Sequence, residues 1–222
     1  MEEMAAVAAL ADDHVPNIPR SRKGVQTRAR LLDAAKQIFE ERGFLEARIS
    51  DIAERAGLSH GAFYHYFDSK EQVFRELAKT LDDELSEPMQ SVIFAPASTV
   101  EPRDRIFIAI HRHLERYQEE ARIMGVVEEV ARYDEHVFDL RAASNARHRH
   151  EIADSIRRMQ RRRLADPTVD PEIAAAALGS MVERFAEMWL AQKQLDASLD
   201  DGAATLATLF VNALGLRAKL RT

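Results

Sequence analysis

Residues 49–70, ISDIAERAGLSHGAFYHYFDSK, constrain the fold of this chain more than any other segment. Two short helical patterns meet there at Gly57, which is typical of a tight turn between helices. Ser50 is predicted to cap the first helix, and Ser59 a second helix over residues 60–67, because serine side chains accept hydrogen bonds from the first free backbone N–H groups.

The second of these helices is two-sided. Ala62, Phe63 and Phe67 fall on one side and are predicted to pack inside. The other side carries polar and aromatic groups: His60, Gly61, Tyr64, His65 and, at its border, Tyr66. Histidine and tyrosine donate and accept hydrogen bonds, and glycine permits close approach of a backbone, so this side suits the major groove of DNA. The alternative is a helical hairpin whose aromatic side chains only pack.

The flanking sequence completes a small helical head. A periodic apolar stripe predicts a helix over about residues 23–42, stopped by Gly43. Residues 69–72, Ser-Lys-Glu-Gln, resemble a capping box and open a further helix that reaches about Ser86. Lys70 would combine its charge with free N–H groups as a phosphate contact, and Arg28 and Arg48 could add further ones.

The rest of the chain is predicted to be helical too. A proline-containing stretch over 88–102, either a loop or a broken helix, is followed by helices over about 103–118, 121–132, 135–163, 171–194 and 200–219, with Asp134 and Asp170 as caps. The fold class is therefore all-α, with a three-helix N-terminal helix-turn-helix head, a larger C-terminal helical bundle and about nine helices. We expect a flexible tail over 1–19, the head over 20–70 and the body over 71–222.

Charge and composition narrow the function. The net charge is -6, but residues 20–70 hold ten basic and seven acidic side chains, so positive charge is concentrated in the predicted head. The absence of cysteine excludes disulfides and thiolate metal sites. No membrane span or signal sequence is evident, so a cytoplasmic protein with no membrane partner is expected. Without a nucleophile motif, phosphate loop or carboxylate pair, we expect neither an enzyme nor a cofactor.

The segment GFLEARISDIAERAGLSHGAFYHYFDSKEQVF strongly resembles the DNA-binding head of the TetR/AcrR family of bacterial transcriptional regulators. The resemblance is specific over about residues 25–75, and over the body it rests on length and helix order. It implies that one set of residues touches DNA, namely Ser59, His60, Gly61, Tyr64, His65, Tyr66 and Lys70, with Arg48 and Ser50 near phosphates. It also implies a homodimer on a palindromic double-stranded operator, with the last two helices as the interface.

The body has candidates for an inducer pocket. Methionine and aromatic side chains recur on one face of the helix over 171–194, and shorter stripes occur elsewhere. The candidate ligand-binding residues are Phe107, His111, Leu114, Met124, Phe138, Met181, Phe185, Met188 and Trp189. For any one of them, plain packing between helices is the competing interpretation.

Three further patterns are open to more than one interpretation. Small residues on the last two helices suit a dimer interface and an intramolecular contact equally, and the resemblance to the TetR/AcrR family favours the dimer interface; they are Ala174–Ala177, Gly179, Ser180, Ala203, Ala204, Leu206, Ala207 and Leu214. The pairs His111/His113 and His148/His150 lie two residues apart, which favours solvated faces over a metal site. The arginines between 157 and 163 favour a structural role at a helix end over a second nucleic-acid surface.

These patterns predict a ligand-responsive transcriptional regulator, a repressor that a small apolar inducer releases from its operator. A shift of the fourth helix would change the separation of the two recognition helices. The alternatives are a ligand-independent DNA-binding regulator and a helical scaffold that binds no DNA.

Overall fold

Nine α-helices and one π-helical segment form the part of the chain that the computed structural model describes, residues 21–93 and 100–216. These residues contain no strand, which confirms the all-α prediction. The chain divides into two compact units, one up to Phe74 and the other from Arg75 onward. The predicted tail over 1–19 lies outside the described residues. None of the described helices is both long and apolar enough to cross a membrane.

The first unit contains α1 (Arg22–Glu46), α2 (Ile49–Arg55), α3 (His60–Phe63) and the first residues of α4 (Lys70–Ile93). Its core is built around aromatic rings. The ring centroid of Phe74 lies 5.1 Å from that of Phe39 and 4.9 Å from that of Phe44. Gly43 has φ +73°, a value that glycine adopts without strain, and it kinks α1 where the sequence predicted its end.

Two helix starts in this unit differ from the predictions. The cap of α2 is Arg48, which makes no side-chain capping bond, and Ser50 lies inside the first turn. The Ser69 hydroxyl does cap α4 by accepting from the Gln72 N–H at 3.1 Å. The Gln72 side chain, however, accepts from the Asp68 N–H at 2.6 Å and does not return to Ser69, so the capping box is incomplete.

The second unit contains α5 (Pro102–Glu119), α6 (Ala121–Val130), α7 (Glu135–Arg161), α8 (Pro171–Ala186), the π segment (Glu187–Ala191) and α9 (Leu199–Ala213). Helix α5 packs against α9, and α7 packs against α8. Asp134 and Asp170 cap α7 and α8 as predicted, by accepting from the Val137 N–H at 3.0 Å and the Ile173 N–H at 2.9 Å.

The last two helices end differently from the predictions. The helix predicted over 171–194 becomes the π segment at Glu187, and α9 is capped by Ser198, whose hydroxyl accepts from the Asp201 N–H at 3.1 Å. The last helix, predicted to reach about residue 219, ends at Ala213 and is followed by Gly215 with φ +56°. A residue with positive φ after a helix is the usual way to turn the chain away.

Candidate functional site

The predicted recognition helix is a short, well-capped element. The Ser59 hydroxyl accepts from the Ala62 N–H at 3.2 Å, as expected for an N-cap. Helix α3 ends at Phe63, four residues before the predicted end, and a turn follows in which the Tyr66 and Phe67 N–H groups both bond the Phe63 carbonyl. The helix is shorter than predicted, but the turn keeps the chain coiled through Phe67.

The two sides of this element differ sharply in exposure. Phe63 and Phe67 are 0% and 1% exposed and belong to the core of the first unit. On the opposite side His60, Gly61, Tyr64 and His65 are exposed, and Tyr66 is half-buried.

Tyr64, which is 47% exposed, rests with its ring against two neighbours. Its centroid lies 5.4 Å from that of His60 and 5.5 Å from that of Phe63, with both pairs close to perpendicular. Such edge-to-face contacts limit the motion of the ring. The exposed side therefore presents tyrosine and histidine groups in a defined position.

The residues predicted near phosphates lie at the start of α2. Arg48 and Ser50 are both exposed, and the Arg48 carbonyl accepts from the Asp51 and Ile52 N–H groups at 3.1 and 3.2 Å. Helices α2 and α3 pack against each other within the first unit.

Lys70 has a role that the sequence did not reveal. Its ammonium donates to the carbonyl oxygens of Phe44, Leu45 and Ala47 at 2.7, 3.2 and 3.0 Å. It also lies 4.5 Å from the centroid of the Phe44 ring. The three N–H groups of an ammonium can each serve one of these carbonyls, so Lys70 ties α4 to the connection between α1 and α2. A phosphate contact by Lys70 stays a prediction.

Ion pairs also fix α2 against α1. Arg55 donates to both carboxylate oxygens of Glu41, at 2.9 and 2.8 Å, and this hydrogen bonding lowers the pKa of Glu41. Arg42 pairs with Asp51. The guanidinium of Arg28, which the sequence suggested for DNA backbone contacts, lies 4.5 Å from the centroid of the Phe67 ring. Several basic side chains of the head therefore also stabilise its fold.

The second unit encloses a cavity of about 140 Å³. Its lining comes from α4, α5, α7, α8 and α9. The apolar lining residues are Leu85, Ile152, Ala175, Ala176, Gly179, Val182 and Phe210, and the polar ones are His113, Asn145, His148, Arg149, Ser180 and Glu183.

The candidate ligand residues of the sequence are not among the cavity-lining residues. Leu114, Met124 and Trp189 are fully buried in the core of the second unit, whereas Phe138 is 58% exposed. The others, Phe107, His111, Met181, Phe185 and Met188, are half-buried. A ligand contact by any of these nine residues stays a prediction. Periodicity identified apolar faces, but the packing partner of each face depends on the arrangement of all the helices.

Two of the four histidines, His113 and His148, depart from the predicted solvated faces, whereas the His150 side chain is 70% exposed. His113 is only 4% exposed and lines the cavity, as does His148, whose pKa burial lowers. His111 points elsewhere, with its Nε2 3.0 Å from an Asp200 carboxylate oxygen. No cluster of metal-ligating side chains occurs in the described ranges.

A partly buried ionic cluster lies next to the cavity. Arg141 pairs with Glu128 at 2.7 Å, with Asp82 of α4 at 3.2 Å and with Glu183 at 3.9 Å. Burial opposes the charge of Arg141, but these carboxylates prevail and raise its pKa. The Glu183 side chain thus lines the cavity and also contacts Arg141, which pairs with Asp82 of α4.

The small-residue faces of α8 and α9 are divided between the interior and the surface. Ala203, Leu206, Ala207 and Leu214 of the α9 segment are buried within one chain. The exposed faces of the two helices include Ile173, which is 71% exposed, and Leu209, which is 49% exposed. The intramolecular interpretation therefore holds for the buried alanines, and an interface between chains would use the exposed faces.

Comparison with known proteins identifies bacterial transcriptional regulators as similar to this chain. Residues 31–77 match the family described as bacterial regulatory proteins, tetR family. An uncharacterised HTH-type regulator of Bacillus subtilis, YdgC, is 36% identical over 89 residues, which cover 40% of this chain and 46% of that protein. The repressor KstR2 of Mycolicibacterium smegmatis is 34% identical over 114 residues, 48% of this chain and 53% of that protein. The chain thus spans about half the length of the curated relatives it matches.

Solved structures resemble nearly the whole fold. A TetR-family regulator from Mesorhizobium loti aligns with a TM-score of 0.72 at 18% identity, covering 87% of this chain and 98% of that one. SmeT of Stenotrophomonas maltophilia in complex with triclosan aligns with a TM-score of 0.73 at 18% identity, covering 87% and 93%. At such identities the likeness concerns the fold. These relatives are transcriptional regulators and not enzymes.

Proposed function

Because residues 31–77 match the tetR family of bacterial regulatory proteins, we propose that the chain is a repressor of that family and binds a palindromic DNA operator as a homodimer. A small molecule bound in the second unit would release the repressor from its operator. The observation that carries the proposal is the exposed side of α3, where Tyr64 and His60 face outward while Phe63 anchors the helix in the core.

The exposed side of α3 has the size and chemistry to read base edges. A major groove is about 12 Å wide and admits one helix, and its bases offer hydrogen-bond donors and acceptors that tyrosine and histidine complement. Residues 60–67 hold no lysine or arginine, so base reading would rest on His60, Tyr64, His65 and backbone groups. Attraction to phosphates would come from the neighbouring basic residues, among them the exposed Arg48.

The connection between the cavity and α4 supports control by a ligand. Glu183 lines the cavity and lies 3.9 Å from Arg141, which also pairs with Asp82 of α4. A ligand that draws on the Glu183 carboxylate would change the charges that hold Arg141, and hence the tie to α4. Helix α4 continues from Lys70 in the first unit to Ile93 in the second, so it is the element through which such a change would pass. A protein of similar fold, SmeT, has been solved in complex with a small molecule, triclosan, which is consistent with a ligand site in this fold.

The proposal is tested by selecting DNA from a random double-stranded pool with the full chain. We expect enrichment of a palindrome whose half-sites are about one or more helical turns apart, because a two-fold dimer presents two copies of α3. Tyr64→Ala should lower affinity for the selected operator at least about tenfold if the tyrosine reads bases. Tyr133→Ala is the matched control, since this tyrosine is 53% exposed but lies in the second unit.

Salt dependence gives a second measure on the same DNA. Each phosphate that the protein neutralises adds about -0.9 to the slope of log affinity against log salt, so several phosphate contacts produce a steep fall. A flat dependence, or equal affinity of Tyr64→Ala and Tyr133→Ala, would contradict operator binding through α3. An operator that no metabolite of a broad panel releases would favour a ligand-independent regulator.

A further inference from the structure

A second opening lies in the second unit at the end of α7, and it shares no lining residue with the cavity described above. It is a groove of about 710 Å³ between the last turn of α7, the connection to α8 and Gly215 after α9. Ligand pockets typically measure about 300–1,000 Å³. The groove therefore has room for a small organic molecule.

The positive charge of the groove comes from two arginines at the end of α7. Arg161 and Arg163 line the groove, are exposed, and make no ion pair with any described residue. By contrast, Arg141, Arg147 and Arg157, earlier on the same helix, each pair with a carboxylate. In a chain of net charge -6, two neighbouring guanidinium groups thus stay available to an anion from outside.

Arg163 has a backbone conformation that favours glycine. Its φ is +57°, and it follows a helix end, where glycine is the usual residue because a Cβ is unfavourable in this region. The carbonyls of Arg158, Met159 and Gln160 already accept from the backbone N–H groups of residues 162–164, so no arginine side chain is needed to end α7. A non-glycine residue held in such a conformation indicates a function for its side chain.

Hydrogen bonds fix the walls of the groove. The Gln160 amide donates to the carbonyl oxygens of Asp166 and Val169 at 2.9 and 2.7 Å, and the Asp166 N–H donates to the Leu214 carbonyl at 2.9 Å. One carboxylate oxygen of Asp166 accepts from the N–H and the hydroxyl of Thr168 at 2.8 and 2.7 Å, so it is engaged within its own turn. Walls that are already ordered lose little freedom when a ligand binds.

The two arginines favour a phosphate group over a carboxylate. A guanidinium donates two parallel N–H bonds, which engage both oxygens of a carboxylate at once. The three terminal oxygens of a phosphate ester can instead serve two guanidinium groups together. Leu164 and Pro167 line the same groove and can contact the organic part of such a molecule.

We propose that this groove binds a small phosphate ester, of about the size of a mononucleotide, through Arg161 and Arg163. All of its lining residues belong to the second unit, and none lines the cavity proposed for an inducer. The site therefore goes beyond the proposed function and does not depend on it.

Four probes test the ligand class on the full chain without DNA. They are ADP, AMP, adenosine and citrate, and titration calorimetry in Mg²⁺-free buffer measures their binding. We expect ADP and AMP to bind, and adenosine and citrate to bind at least about tenfold more weakly, because charge-assisted hydrogen bonds to phosphate carry the affinity. No binding of either nucleotide, or equal binding of adenosine or citrate, would overturn the proposal.

A double variant tests the location. Arg161→Gln with Arg163→Gln should bind ADP at least about tenfold more weakly, because both guanidinium groups are lost. The matched control is Arg122→Gln with Arg132→Gln, two exposed arginines of the same unit outside the lining, which should leave the affinity unchanged. Equal losses in the two double variants would assign binding to overall charge and overturn the site. Weaker binding of duplex DNA by the first variant, with no binding of ADP by the parent chain, would assign the arginines to nucleic acid instead.

Substitution by glycine separates binding from folding. Arg163→Gly relieves the backbone and removes the guanidinium, so Tm should not fall while ADP affinity drops at least about threefold. Lys193→Gly is the matched control, since Lys193 also has a positive φ, +54°, and is exposed outside the lining. It should leave ADP affinity unchanged without lowering Tm. A lower Tm in Arg163→Gly alone would mean that this side chain supports the fold, and would overturn the argument for a ligand contact.

Discussion

At the scale of single residues, Lys70 can be tested for two roles, stabilising the first unit and contacting DNA. Its ammonium serves the carbonyls of Phe44, Leu45 and Ala47, which end the kinked helix α1. We expect Lys70→Gln to lower the free energy of unfolding of the first unit by about 1–3 kcal/mol, because two part-buried carbonyls, those of Phe44 and Ala47, lose a charged donor. Hydrogen exchange of the α2 and α3 amides in the full chain measures this change.

Lys79→Gln is the matched control for Lys70. This lysine is 67% exposed and pairs with Asp83 at 2.9 Å one helical turn away, so its loss should cost less than about 0.5 kcal/mol. Exchange rates that are unchanged in Lys70→Gln, together with a loss of operator affinity, would assign the residue to phosphate contact alone.

His148 makes the stability of the folded protein depend on pH. Burial holds its folded-state pKa below the ordinary value of 6.5, so the unfolded chain takes up a proton first as pH falls. Stability from this group is present above pH 6.5 and is lost as pH falls below it. We expect His148→Gln to reduce the drop in Tm between about pH 7.5 and pH 5.5. His150→Gln, at a position 70% exposed, should leave the drop as in the parent chain, and equal effects would contradict the burial argument.

Local interactions of residues were predictable from the sequence, and distant ones were not. The Ser59 cap and the buried position of Phe63 depend on neighbours within one helical turn, so spacing alone revealed them. The hydrogen bonds of Lys70 join it to residues 23 to 26 positions earlier in the chain, and no sequence pattern predicts contacts at that distance. Ser50 fails as a cap because the chain becomes helical one residue earlier, at Ile49.

At the scale of elements, the turn between α2 and α3 depends on the backbone of Gly57. Its φ is +69°, and a Cβ there would meet nothing within 4 Å, so only backbone strain opposes a side chain. We expect Gly57→Ala to destabilise the first unit by about 1–2 kcal/mol, the cost of a left-handed conformation for a residue with a Cβ. Chemical denaturation followed by circular dichroism measures it.

Gly61→Ala is the counterpart within α3. Gly61 also has open space around it but no positive φ, so alanine should stabilise the helix by about 0.5–1 kcal/mol. Because Gly61 lies on the exposed side of α3, the same substitution should weaken operator binding if the backbone approaches DNA closely. A loss of stability in Gly61→Ala, or none in Gly57→Ala, would contradict this account of the turn.

Close packing of α9 on the π segment gives another element-scale prediction. A Cβ on Gly202 would lie 2.5 Å from two atoms of the Trp189 ring, so Gly202→Ala should destabilise the second unit by about 1–3 kcal/mol through overpacking. Gly125→Ala in α6 is the control, since its Cβ meets nothing within 4 Å, and it should be neutral or stabilising. Thermal unfolding compares the two, and equal Tm values would contradict the tight contact.

Helix existence was easier to predict than helix ends and helix partners. Aspartate caps and the Pro171 start signal located α7 and α8 closely, because they are local signals. The π segment was not predicted, since it arises where the chain leaves regular spacing after Ala186. The Trp189 ring packs over Gly202, a contact that the sequence did not predict because it depends on how α9 returns to this region.

At the scale of the whole molecule, fold class could be predicted and the cavity could not. An alanine- and leucine-rich chain with few glycines and prolines and regular capping signals favours helices throughout, whatever their arrangement. The cavity takes lining residues from five helices between Leu85 and Phe210. The periodicity of a single helix does not show which residues of different helices meet. The sequence therefore identified apolar faces but not the position of His113 and His148 in the cavity lining.

The last prediction concerns the interface of the proposed dimer. Ile173 on α8 and Leu209 on α9 are 71% and 49% exposed, and large apolar side chains exposed to solvent are typical of interfaces. The double variant Ile173→Asp with Leu209→Asp should therefore be monomeric in sedimentation velocity, because burying two carboxylates across a two-fold axis is unfavourable. Leu195→Asp, 43% exposed in the connection before α9, is the control and should leave the oligomeric state unchanged. A monomer holds only one α3 and should bind the palindrome far more weakly than the parent chain. If the double variant stays dimeric, the interface lies elsewhere; if it is monomeric and keeps full operator affinity, two-fold recognition is wrong.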